Sequence, residues 1–100
     1  MDETVHISSL VVQIQPHNID ALKVQCLEYT SREASIEIAA VDPAGKVVVL
    51  LETLSRRHIV DFIDWLQLRE GVLSVSMVYH HAEPIAELER EVARHEAHTA

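Results

Sequence analysis

The apolar residues of this 100-residue chain follow two repeats in turn, one of about two residues and one of about 3.6, in an order that few folds can accommodate. Over residues 5–14 apolar and β-branched side chains alternate until Pro16, which has no N–H to offer a ladder, and this predicts a first strand. From Asn18 the spacing lengthens. Ile19, Leu22 and Cys26 stand at i, i+3 and i+7 with Leu27 beside them, and Asn18 is suited to cap a short helix ending near Glu28. Residues 35–41 alternate again through Ile36 and Ile38. Asp42, Pro43, Ala44 and Gly45 then supply a turn, and residues 46–52 form a Val and Leu run, so the pair reads as a hairpin. Ser55 can cap a second helix with Ile59, Phe62, Ile63 and Leu66 on one face and Arg56, Arg57, Asp61, Asp64 and Gln67 on the other, closed by Gly71 as the residue after its C-cap. Residues 72–80 complete the set as a fourth strand.

The order is therefore βαββαβ. Right-handed crossovers in both halves give an α+β, ferredoxin-like domain: a four-stranded antiparallel sheet in the order 4-1-3-2 with both helices on one face. Residues 1–82 make this domain. Residues 83–100 are expected to add a C-terminal helical extension over 84–98, with Pro84 at its first turn and a thin stripe of Ile85, Leu88 and Val92. Two helices cover one sheet face and leave the other open.

Alternation assigns the faces. In strand four Leu73, Val75, Met77 and Tyr79 are the bulkier set and are expected under the helices, as are Leu10 and Val12 in strand one. The open face is then Ile7, Ser9, Val11 and Gln13 beside Ser74, Ser76, Val78 and His80. The serines of strands one and four, Ser8, Ser9, Ser74 and Ser76, either lower this surface for another backbone or simply solvate it.

Chemistry-bearing patterns are sparse. Cys26 stands alone, so no internal disulfide or paired-cysteine metal motif can form, and its place on the apolar stripe marks it as a buried structural thiol. His80 and His81 are adjacent on a strand and point to opposite faces, while His95 and His98 are completed by no cluster, so no metal site and no cofactor is expected. Gly45 and Gly71 are the only glycines, which excludes a glycine-rich phosphate loop. No serine or cysteine has the context of a nucleophile, and the chain reads as a non-enzyme. Trp65 and Tyr79 are either ligand contacts or partial core. A formal charge of −8 disfavours nucleic acid and suits a cationic partner. No apolar run approaches the roughly 20 residues of a membrane span. The acidic start, Asp2 and Glu3, lacks the pattern of a secretory signal, so a cytoplasmic protein is expected.

Ser9-Leu10-Val11-Val12-Gln13 and Glu70-Gly71-Val72-Leu73-Ser74-Val75-Ser76-Met77-Val78-Tyr79-His80 resemble the first and last strands of the NapD family, and with the hairpin turn at Asp42 to Gly45 the likeness spans residues 6–81. That family comprises cytoplasmic maturation chaperones of periplasmic nitrate reductase. The resemblance implies a chaperone that binds the twin-arginine signal peptide of the catalytic subunit and delays export until the molybdenum cofactor and iron–sulfur cluster are in place. With the open face assigned by alternation as the place of contact, Ile7, Ser9, Val11, Gln13, Ser74, Ser76, Val78 and His80 are the expected peptide-binding residues. Two other readings share the element order. An ACT-like regulatory domain for a small ligand would need a glycine-containing loop where this chain has Gln15-Pro16-His17-Asn18, and a metal-carrying domain would need a C-x-x-C there.

Overall fold

A computed structural model describes residues 4–84. Its elements are β1 (Thr4–Ile14), a 3-10 turn (Pro16–Asn18), α1 (Ile19–Tyr29), β2 (Ala34–Asp42), β3 (Lys46–Thr53), α2 (Arg56–Gln67) and β4 (Val72–Pro84). The strands pair in the order β2-β3-β1-β4, which is the expected 4-1-3-2 read from the other edge. Every neighbouring pair is antiparallel. β4 runs on to Pro84, two residues past the expected domain boundary, and the rest of the expected tail helix lies outside the described residues.

The core lies between the helices and one sheet face. Leu10, Val12 and Ile14 of β1 and Val47, Val49 and Leu51 of β3 pack with Ile19, Leu22 and Cys26 of α1 and Ile59, Phe62 and Leu66 of α2. Each such side chain, fully buried, contributes about 1.5–3 kcal/mol. Trp65 extends this core: its ring lies 4.7 Å from Tyr29 and 5.6 Å from Phe62, with the Arg69 guanidinium 4.6 Å above it. Val24 and Leu27 of α1, by contrast, are exposed.

Local capping follows the sequence at one helix and departs from it at the other. Ser55 Oγ accepts the His58 N–H at 3.3 Å and so satisfies an orphan donor of α2. Asn18 makes no side-chain cap; the 3-10 turn before α1 instead lets the Ile19 N–H donate to the Pro16 carbonyl. Gly71 is not the residue after the helix cap: α2 ends at Gln67 with Leu68 as its C-cap, and Gly71 sits in the turn into β4 at φ +83°. A Cβ there would meet the Asn18 side chain, so the glycine also lets this turn close on the β1–α1 connection. Among the described residues no helix is long and apolar enough to cross a membrane.

Candidate functional site

β1 and β3 pair without interruption from His6 to Gln13, so their alternation holds throughout and fixes the faces. Ile7, Ser9, Val11 and Gln13 lie on the face away from the helices, beside Lys46, Val48, Leu50 and Glu52 of β3. The open side of β1 is the one expected.

β4 is different. Its ladder with β1 shifts register twice, between Met77 and Tyr79 and between Val72 and Ser74. At each shift one β4 residue, Val78 or Leu73, has no partner in β1. Such a bulge exchanges the faces of everything beyond it. Val75 and Met77, opposite the buried Val12 and Leu10, face the helices as expected, and Ser74 and Ser76, opposite Gln13 and Val11, face out as expected. Beyond Val78 the assignment inverts. Tyr79 stands opposite Ser9 on the open face and is 54% exposed, whereas His80 stands opposite the fully buried Ser8 on the helix side. His81 takes the open face opposite Ile7. Val78 and Leu73 are largely exposed as bulge residues, so Leu73 does not pack under the helices.

The open face thus joins Ile7, Ser9, Val11, Gln13, Ser74 and Ser76 from the expected set and leaves out His80. Tyr79, expected under the helices, is on this face instead, and Val48, Leu50 and the carboxylates of Glu37 and Glu52 were not among the expected residues. Ile7, Ser35, Glu37, Leu50, Leu51 and Glu52 line a depression of ≈160 Å³ on this face. Cross-strand pairing builds it. Glu37 of β2 stands opposite Leu50, while Glu52 stands between Ser35 of β2 and Ile7 of β1. Two carboxylates over an apolar floor suit a guanidinium on an aliphatic stem.

On the other side, His80 Nε2 lies 3.2 Å from His6 Nδ1 and the two rings stack at a 5.5 Å centroid distance. Burial first, then the neighbouring His80 and Arg56, hold the His6 pKa below the usual imidazole value. Ser8 Oγ, buried beside them, has no hydrogen-bond partner among the described residues. Cys26 is fully buried and burial pushes its thiol up to about 11, which suits a packed side chain and not a nucleophile. Among the described residues no group of three or more His, Cys, Asp and Glu side chains could hold a metal.

One sheet face sealed by helices and the other open, part apolar and part acidic, define a ferredoxin-like binding domain. The family model described as NapD protein matches residues 5–84. The chain is 31% identical over 77 residues to chaperone NapD of Escherichia coli K12, covering 77% of this chain and 85% of that one, and equally similar to chaperone NapD of Shigella flexneri. The solution structure of the E. coli Tat proofreading chaperone protein NapD superposes with a TM-score of 0.66 at 31% identity, over 83% of this chain and 84% of that one. This chain belongs to the NapD family, whose named relatives are chaperones.

Proposed function

We propose that this protein is a cytoplasmic chaperone that binds the twin-arginine signal peptide of a periplasmic nitrate reductase catalytic subunit on its open sheet face and holds back export until cofactor insertion is complete. The observation that carries this reading is the make-up of that face. An apolar strip of Val11, Val48, Leu50 and Tyr79 runs between small serines and ends at the Glu37–Glu52 depression. A twin-arginine signal is cationic at one end and apolar beyond it. Its arginines would sit against Glu37 and Glu52, and its apolar part, as a helix, would lie across Val11 and Leu50 towards Ser76 and Tyr79. Kinship with a Tat proofreading chaperone supports the same partner.

Titration calorimetry in chelator tests it, using the signal peptide, a version with both arginines changed to glutamine, and a scrambled control. Binding of the native peptide, weakened by the glutamine changes and by moderate salt, is the expected result. Equal affinity for the scrambled peptide overturns the proposal.

A further inference from the structure

Arg56, Val60 and Asp64 form one row along α2, at i, i+4 and i+8, and all three side chains are exposed. Val60 is 56% exposed on a helix that buries Ile59, Phe62 and Leu66. Neither charge in the row has an opposite charge one turn away on its own helix. Val60 stands between them, while Arg57 and Asp61 are four apart and can serve each other. Beside the row lies a groove of ≈340 Å³ between α2 and β4, lined by Arg56, Ile59, Val60, Ile63, Met77 and His80, with Met77 43% exposed. β4 is an edge strand and carries no Asp, Glu, Lys or Arg from Val72 to Ala82, so it lacks the charges that keep exposed edges apart. Its two register shifts break the regular ladder that a further strand would need, which leaves contact on this flank to side chains.

The row is its own complement. A two-fold axis through Val60 sets α2 antiparallel to the α2 of a second copy. Arg56 and Asp64 each lie four residues, or about 6 Å, from Val60 on opposite sides, so Arg56 of each copy comes level with Asp64 of the other. A foreign partner would have to bring an acid and a base at this same spacing about an apolar centre, and a second copy already has them.

We propose that the α2–β4 flank is a two-fold contact between two copies of this chain, with the Val60 side chains meeting at the axis, the apolar groove walls covered and two Arg56–Asp64 pairs closing the ends. α2 is about 18 Å long, a flank too short for the roughly 800 Å² per partner of a standard interface, so the dimer exchanges with the monomer as concentration changes. The contact is on the helix side of the sheet, and both open faces stay exposed in the pair.

Sedimentation of the full chain from about 10 µM to about 1 mM tests it, the range in which a weak dimer and its monomer coexist. The parent should shift from monomer to dimer across this range. Arg56→Asp and Asp64→Arg should each weaken the dimer about tenfold, since each replaces two attractions across the axis with two repulsions. Both positions are exposed, so circular dichroism should show the fold unchanged. Mixing the two variants in equal amounts should restore the dimer, because one copy then carries only acids and the other only bases at the two positions. The double variant, Arg56→Asp with Asp64→Arg, should dimerise by itself for the same reason. A parent that stays monomeric throughout overturns the proposal, as does a dimer indifferent to both reversals, and a mixture that fails to recover the dimer rules out the two-fold contact about Val60.

Discussion

Tyr79 and His80 are neighbours in sequence that the Val78 bulge sends to opposite faces, so their alanine variants should fail in different assays. A tyrosine can bury about 150–250 Å², and this one is 54% exposed, leaving on the order of 100 Å² for a ligand to cover. At about 25 cal/mol per Å², full cover is worth about 2.5 kcal/mol and half cover about 1.3 kcal/mol, which is about a tenfold change in Kd. Tyr79→Ala should therefore weaken signal-peptide binding about tenfold in calorimetry while leaving the urea midpoint nearly unchanged. His80→Ala removes the hydrogen bond to His6 and should lower stability by about 0.5–1.5 kcal/mol with the affinity intact. If His80→Ala instead weakens the peptide tenfold and Tyr79→Ala does nothing, the peptide lies on the helix side and the face argument fails.

Ser76→Arg should fold and lose the peptide, whereas Val75→Arg, one residue away and opposite the fully buried Val12, should unfold by burying an unpaired charge; circular dichroism with peptide titration separates the two, and the reverse pattern would exchange the faces. His6 holds its pKa below the usual imidazole value, so the unfolded chain takes up this proton first. Its contribution is fully present above about pH 6.5 and is lost as pH falls from there towards the folded pKa. Urea midpoints should accordingly drop less steeply with acid in His6→Gln than in the parent, and identical slopes would remove His6 from the account. Cys26 should resist a thiol reagent at pH 8 in the folded protein and react at once in denaturant; fast labelling of the native chain would contradict its burial.

Element order, strand order and the core were legible because they rest on periodicity and on the handedness of crossovers, which short-range sequence carries. Leu10, Val12, Ile59, Phe62 and Leu66 were all found this way and all are buried. The site was legible only in part. Residues 72–80 read as unbroken alternation, and a bulge adds a residue without changing that pattern, so Tyr79 and His80 were assigned to each other's faces. The Glu37–Glu52 pair and the His6–His80 contact had no local signal, since each exists only once strands distant in sequence are in register. His6 could have been suspected from its place in the inward set of β1 with Ser8 and Leu10.

Why the bulges fall on β4 and not on β1 follows from what each strand pairs with. β1 has a partner on both sides, so an extra residue there would break two ladders, whereas β4 is an edge strand and a bulge disturbs one. This leads to a deletion experiment. Removing Val78 leaves Met77 opposite Leu10 and Tyr79 opposite Ser9, because the lost residue is the one without a partner. The chain should fold with stability within about 1 kcal/mol of the parent, since the unpaired residue's ordering cost of about 1–2 kcal/mol disappears along with its few contacts. His80 should stay beside His6, visible as ring-to-ring contacts in NMR spectra, and the peptide affinity should change less than that of Tyr79→Ala. Deleting Ser76 is the contrasting case. Its loss draws Met77 opposite Val11 and forces Val78 into the helix-side place opposite Leu10, so it should cost stability through the smaller side chain set against α2 and should also remove a residue from the open face. A Val78 deletion that unfolds the domain, or one that behaves like the Ser76 deletion, would show that Val78 is paired and that the inversion of Tyr79 and His80 does not arise from a bulge.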